Sequence, residues 1–328
     1  MPAADAGRCF PPVAMSGYSA AMTNANFWFL PAALALALVV TLPAEAGNRR
    51  ECQALEQRYA QIKAQASSIE RNSLLMSAAA QQCEALCAAL LDDGASVEAR
   101  DRLGNMALAQ AAKRGSVPIV KMLLDHKAAV NARNLEASTA LYIAAEEERR
   151  EVAAALLDAG ADPNIPGRSG IAPISAAAYT GNGDLVALLL AKGAEPRAID
   201  ATGKAAIVYA AGRAFAPVVR LLLDHGVDVN QRYGNDLTAL MWAAGHSDEA
   251  GAADIKETIE LLVARGAHLD AADDRGRTAL MTAAELGHAT AVEALLKAHA
   301  DARLKDKAGK TAADLASDQA IKTALAGQ

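Results

Sequence analysis

Aromatic residues are scarce in this chain of 328 residues: they make up 4%, against 52% hydrophobic residues in all. Its core must therefore rest on Ala, Leu, Val and Ile. That argues against aromatic-rich sandwiches and barrels, and the hydrophobic content argues against disorder. Also missing is any basic run longer than two residues, and 38 acidic against 32 basic side chains leave a formal charge of −6. Nucleic-acid binders carry a basic patch or stripe, so no nucleic-acid partner is expected. There is no G-x-S-x-G, no H-E-x-x-H and no phosphate-cradling glycine loop, which removes the commonest signatures of hydrolases, zinc proteases and nucleotide enzymes. Glu146-Glu147-Glu148, followed by Arg149-Arg150, reads as a solvated helix end rather than a carboxylate site. No enzyme, cofactor, metal or small-molecule substrate is expected.

One uncharged stretch stands out. Residues 27–42 (FWFLPAALALALVVTL) carry no charge, but fall short of the roughly 18–20 apolar residues that span a bilayer. Ala44-Glu45-Ala46 follows, a small-x-small cleavage pattern. Residues 1–46 are therefore expected to be a signal peptide cut before Gly47. Because Arg8 is the only base ahead of the apolar run, Met22 is the alternative start. Export would make the protein periplasmic or secreted, and an uncleaved leader would instead anchor it to a membrane.

The rest of the chain repeats. Ser73-Leu74-Leu75-Met76-Ser77-Ala78-Ala79 aligns with Met106-Ala107-Leu108-Ala109-Gln110-Ala111-Ala112 at an offset of 33, and the register returns at Thr139, Ala172, Ala205 and Thr238. Thr278 follows after 40 residues and Thr311 after another 33. Each unit then carries an apolar pair and a small turn, as in Leu156-Leu157 before Gly160-Ala161 and Leu189-Leu190 before Gly193-Ala194. Two helices too short to be stable alone would bury one face on each other and another on the next unit. Alanine pairs let neighbouring first helices approach, and leucines fill the seam. Gly94, Gly160, Gly193, Gly226 and Gly266 fall just past the second helix, where a left-handed residue is needed. Lys127 and His299 hold that place in two units. His126 and His225, three units apart, would lie about 30 Å from each other at ~10 Å per helical layer, too far to share a metal or a proton.

These units resemble ankyrin repeats over roughly residues 71–325. Gly181-Asn182 and Gly287-His288 match that family's interhelical turn, and Val130-Asn131-Ala132 and Asp228-Val229-Asn230 its repeat ending. The resemblance implies an all-α solenoid of helix-turn-helix units joined by β-hairpin-like turns. About eight units are expected over residues 71–328, the last a polar cap. The family's Thr-Pro-Leu-His opening is eroded. Its histidine place reads Met76, Ala109, Tyr142, Ser175, Val208, Met241, Met281 and Asp314, and threonine survives only at Thr139, Thr238, Thr278 and Thr311. The units at Ala172 and Ala205 are accordingly expected to be the soft ones.

Ahead of the array, Cys52, Leu55, Tyr59, Ile62, Ala66 and Ile69 are spaced as one helical stripe. Such a stripe suits a coiled-coil seam or an N-terminal capping helix over residues 47–70; its position beside the first unit favours the cap. Past the leader three cysteines remain, so at least one is unpaired. Cys87 aligns with the core residue Val292 and Cys83 with the turn residue His288. Cys52–Cys83 is therefore the expected disulfide, tying cap to first unit, with no spacing that suggests zinc. Seven extra residues within 245–253 (GHSDEAGAA) are expected to form an exposed loop, either a tolerated insertion or a partner contact.

The remaining mechanism is recognition of a protein partner. In proteins that look like this, partners meet the turn tips and the exposed side of the first helix. Those places hold Leu103, Asn105, Lys113 and Arg114; Leu135, Glu136, Ser138 and Glu146; Ile171, Tyr179 and Thr180. They continue with Thr202, Lys204 and Arg213; Asn235, Leu237 and His246; Arg275, Arg277, Glu285 and Leu286. Leu103, Leu135, Ile171, Tyr179 and Leu237 are expected to be exposed, as an apolar ridge rimmed by charge. A purely structural, envelope-anchored scaffold and a secreted effector acting on a host protein stay open as alternatives.

Overall fold

A computed structural model describes residues 43–246 and 250–327, with side chains described from residue 48. Of the expected leader only residues 43–46 are described, and they open the first helix, α1 (Pro43–Ile62). Eight helix pairs follow: α2 (Ser68–Ala80) with α3 (Glu84–Asp92), α4 (Ala107–Arg114) with α5 (Val117–Asp125), and α6 (Ala140–Glu146) with α7 (Arg150–Asp158). Then come α8 (Pro173–Thr180) with α9 (Gly183–Ala191), α10 (Ala206–Gly212) with α11 (Ala216–Asp224), and α12 (Ala239–Gly245) with α13 (Ala252–Ala264). α14 (Ala279–Leu286) with α15 (Ala289–Lys297) and α16 (Ala312–Leu315) with α17 (Gln319–Ala326) complete the array. From α4 onward every first helix begins one residue after the repeat's threonine position. No strand and no helix long and apolar enough to cross a membrane occurs among the described residues.

First helices pack on first helices of the neighbouring units and second on second. The alanine pairs make this approach possible: Ala111, Ala112, Ala144, Ala145, Ala177, Ala178, Ala210 and Ala211 have no solvent exposure. The first leucine of each apolar pair (Leu90, Leu123, Leu156, Leu189, Leu222, Leu262, Leu295) is likewise fully buried, each such burial being worth about 1.5–3 kcal/mol. Its pair-mate is half-buried at Leu124, Leu190 and Leu223. The second helices end as the sequence requires, with Lys127 at φ 67° and His299 at φ 69° standing where other units place glycine.

Threonine caps survive where threonine survives. Thr139, Thr238, Thr278 and Thr311 each accept from the backbone N–H three residues on, whereas Met106, Ala172 and Ala205 provide no side-chain cap. Two further devices join consecutive units. Arg100, Arg133 and Arg232 each donate across the turns to carbonyls of the next unit, at Arg133, Pro166 and Ala272. Asn131, Asn164 and Asn230 each donate to one carbonyl and accept one N–H of the following unit. The equivalent places between the α8–α9 and α10–α11 units are Ile199 and Arg197, and neither bridge forms there. Missing caps and missing bridges thus coincide at one seam.

Two expectations change. The stripe over residues 47–70 is not one helix: α1 stops at Ile62, and Ser67 with Glu70 forms a capping box that starts α2. Ile69 consequently belongs to α2 and is 78% exposed. α1 packs on α2 and α3 as a cap. Cys52 and Cys83 are joined, with Cα atoms 5.3 Å apart, and the Tyr59 hydroxyl donates to Asp93 at 2.6 Å beside Lys63. The insert is exposed at His246 and at Gly251–Ala253, but its last residues are helical, since α13 runs 13 residues where most second helices run 9.

Candidate functional site

The turns between units are built by one side chain. Asp101, Asn134, Asp200, Asp273 and Asp306 accept from the backbone N–H groups two and four residues on, the Asx-turn device. Burial works against ionisation of Asp101, yet hydrogen bonds from Asn105, Leu103 and Gln110 together hold its carboxyl below the usual carboxylate range. Adjacent tips are stitched by backbone bonds, Leu135 N–H to Leu103 carbonyl and Ala201 N–H to Ser169 carbonyl, each 3.0 Å. The turns are hairpin-like in these bonds without forming strands.

Two units open the turn differently, with Gly167 and Tyr233 in the Asp/Asn place, and there the chain winds into 3-10 turns at Arg168–Gly170 and Gly234–Asp236. Gly167 is required for room, because a Cβ there would lie 2.4 Å from the Tyr142 ring. The residue closing each of these turns is apolar and goes inward. Ile171 is 3% exposed, and Leu237 is half-buried. Both were expected to be exposed. Without a polar side chain to pin the turn, burial of the apolar one sets its direction. Ser138, 3% exposed, is also interior, its Oγ accepting the Arg168 N–H.

Other expected contact residues are held by their own neighbours. Asn105 bridges Asp101 and Asn134. Glu146 pairs with Arg168, and burial raises its carboxyl pKa in spite of that cation. Arg277 pairs with Glu285 and Asp306, and Lys113 with Glu147 at 3.7 Å. Leu103, Leu135, Glu136, Arg114 and His246 are exposed, while Tyr179, Lys204 and Arg213 are half-buried. The ridge therefore reduces to the two neighbouring tips at Leu103 and Leu135.

A second cluster lies further along, across α8, α10 and α12. Tyr179 and Tyr209 meet edge to face with ring centroids 6.0 Å apart. The Arg213 guanidinium covers Tyr179 at 4.6 Å and lies 5.7 Å from the Phe215 ring. Lys204 Nζ lies 4.8 Å from the Trp242 ring centroid and 5.8 Å from that of Tyr209. His246 stacks on Trp242 with centroids 4.0 Å apart. The Tyr209 hydroxyl bonds to Asp200, the buried carboxylate that organises the turn below it. Phe215 stands at the N-cap position of α11 and lies over Gly181, where a Cβ would come within 2.8 Å of its ring. All six side chains at its heart (Tyr179, Lys204, Tyr209, Arg213, Phe215, Trp242) are half-buried.

Tyr209, Phe215 and Trp242 are absent from the sequence-based contact set. The signal was their distribution: of seven aromatic residues after position 47, five fall between 179 and 242, and four of those five meet here. Nothing in the cluster has the form of a catalytic constellation, and no group of three metal-ligating side chains occurs among the described residues.

Comparison with known proteins gives one consistent result. Residues 47–166 and 174–255 match the family described as ankyrin repeats (3 copies), and residues 262–316 that described as ankyrin repeats (many copies). No curated protein matches the sequence. Among solved structures, the ankyrin repeat domain of human ASB11 is similar, with a TM-score of 0.61 and 24% identity over 68% of this chain and 97% of that one. That likeness speaks to the fold alone. With one family covering most of its length and its helix pairs stacked at the repeat spacing, the chain belongs to the ankyrin-repeat proteins.

Proposed function

We propose that this protein is an exported, non-enzymatic binding module whose protein partner lies on the exposed side of the first helices, centred on α8, α10 and α12. The observation that carries the reading is the cluster of four aromatic rings with Lys204 and Arg213. Trp, Tyr and Arg are the residues that most often dominate binding energy at protein interfaces. In a chain so poor in aromatics, a core would have claimed them if packing were their only use. Leu135 and Leu103 add a small apolar contact one and two units before α8.

Export is supported by the apolar run at 27–42 with its cleavage pattern, and by the Cys52–Cys83 disulfide, a bond that persists in oxidising compartments. On this reading residues 1–46 are a removed leader and the mature protein is periplasmic or secreted. Membrane attachment arises only where the leader is retained.

Site-specific photo-cross-linking in the producing cells tests the face. A benzoylphenylalanine at Tyr179 should give a discrete adduct with a partner, and one at Lys121, exposed on the second helix α5, should not. An adduct at Lys121 alone would overturn the proposed face.

A further inference from the structure

Within the aromatic cluster one cation lacks a counter-charge. Lys204 Nζ stands between the rings of Tyr209 and Trp242, with no carboxylate in ion-pair range among the described residues; only its backbone N–H reaches Asp200. Lys63, Lys113, Lys192 and Lys297 pair with Asp93, Glu147, Asp158 and Glu260, and lysines such as Lys121, Lys127 and Lys256 lie exposed to water, whereas Lys204 is half-buried against two rings. Beside Lys204, Trp242 Nε1 is a buried donor with no acceptor. Asp200, the buried carboxylate of the turn that carries Lys204, is consumed by the Tyr209 hydroxyl and by the turn N–H groups.

We infer that the Lys204–Trp242 site, between α10 and α12, receives a carboxylate side chain from an acidic segment of the protein partner. A half-buried ammonium over two aromatic faces is partly desolvated, so an incoming carboxylate meets it at greater strength than it would a fully hydrated lysine. Charge complementarity also selects the class of partner. A nucleic acid would need a basic stripe, and this site offers Lys204 and Arg213 on a chain of net charge −6. The surface spans three first helices, about 20 Å at ~10 Å per layer, which suits an extended segment better than a small anion. The inference rests on the proposed binding face and adds the chemistry that face selects.

The full-length chain carrying Trp28→Phe leaves Trp242 as its single tryptophan, so its emission reports the site directly. Titration with hexaglutamate peptide should give a saturable change that hexaglutamine and hexalysine do not reproduce. Lys204→Met should weaken hexaglutamate by about tenfold or more, the loss of one charge-assisted contact, and Lys204→Arg should retain it. Unchanged far-UV circular dichroism would show that both variants fold, and Lys204→Gln provides the same test should the methionine variant not fold. Equal response to hexaglutamine, or an unchanged titration in both charge-removing variants, would overturn the inference. If hexaglutamate fails while the Tyr179 cross-link still forms, the carboxylate assignment falls and the binding face stands.

Discussion

The seam between the α8–α9 and α10–α11 units offers a repair experiment. At the place where Asn164 donates to the Gly193 carbonyl at 3.0 Å and accepts the Glu195 N–H at 2.8 Å, the next unit has Arg197, which pairs only with Glu195 at 3.6 Å. Where Thr238 caps α12, Ala205 leaves α10 uncapped. Arg197→Asn should add two exposed hydrogen bonds, about 1 kcal/mol together at the low end of their range. Ala205→Thr should add a cap, about 1 kcal/mol. Contacts in such an array run between neighbours, so both gains fall on the weak seam. The double variant should be about 2 kcal/mol more stable there and melt roughly 4 °C higher, at the ~2 °C per kcal/mol of a large domain. In the Trp28→Phe background, Trp242, on α12 and so one unit beyond the seam, follows the C-terminal side of the array while far-UV circular dichroism follows all helices. The parent's two urea curves should have separate midpoints, and the double variant should bring them together. Coincident curves in the parent, or no rise in stability on repair, would refute the soft seam.

Further outcomes follow from the same structure. Replacing Cys52 and Cys83 by alanine removes a crosslink spanning 31 residues; by loop entropy it should cost up to about 3.5 kcal/mol, read as faster hydrogen exchange confined to α1. Lys63 and the hydrogen bond from the Tyr59 hydroxyl hold the Asp93 carboxyl low, so that contribution is present above the ordinary aspartate range and lost as pH falls through the lowered value. Burial and the same bond push the Tyr59 hydroxyl up to about 12, so its contribution is complete below pH ~10 and disappears as pH rises towards 12; protection of α1 measured against pH should decline at both ends. Gly167→Ala forces a methyl into the Tyr142 ring and should cost about 1–3 kcal/mol as overpacking, visible in thermal denaturation. Intact mass of the exported protein should place its N-terminus at Gly47, and retention of residues 27–42 would contradict the leader.

The architecture was legible because one spacing recurs: each first helix from α4 onward begins one residue after the position that the repeat alignment marks. Lys127 and His299 at positive φ show how far register dominates residue preference. What escaped was local chemistry. The stripe from Cys52 to Ile69 satisfies helical spacing throughout, yet the Ser67–Glu70 capping box starts a second helix inside it; periodicity cannot register a break that preserves phase. The burial of Ile171 and Leu237 was encoded four residues earlier, at Gly167 and Tyr233, where the turn's Asp or Asn is missing. Tyr209 and Trp242 occupy a place held by Ala176 in the α8 unit, so position in the repeat alone does not mark them as a surface cluster. Their convergence needs the lateral stacking of α8, α10 and α12, which joins residues 33 apart.

If partner binding is concentrated in the aromatic cluster, truncating its rings should dominate the loss of affinity. With a cross-linked partner in hand, the decisive measurement is its dissociation constant for alanine variants of Tyr179, Trp242, Leu135 and Lys121 by titration calorimetry. Tyr179→Ala and Trp242→Ala should each weaken binding by about 30-fold or more, the ~2 kcal/mol of a hot spot. Leu135→Ala should cost less, and Lys121→Ala nothing measurable. Undiminished affinity in both aromatic variants, with a loss at Lys121, would place the partner on the second helices instead.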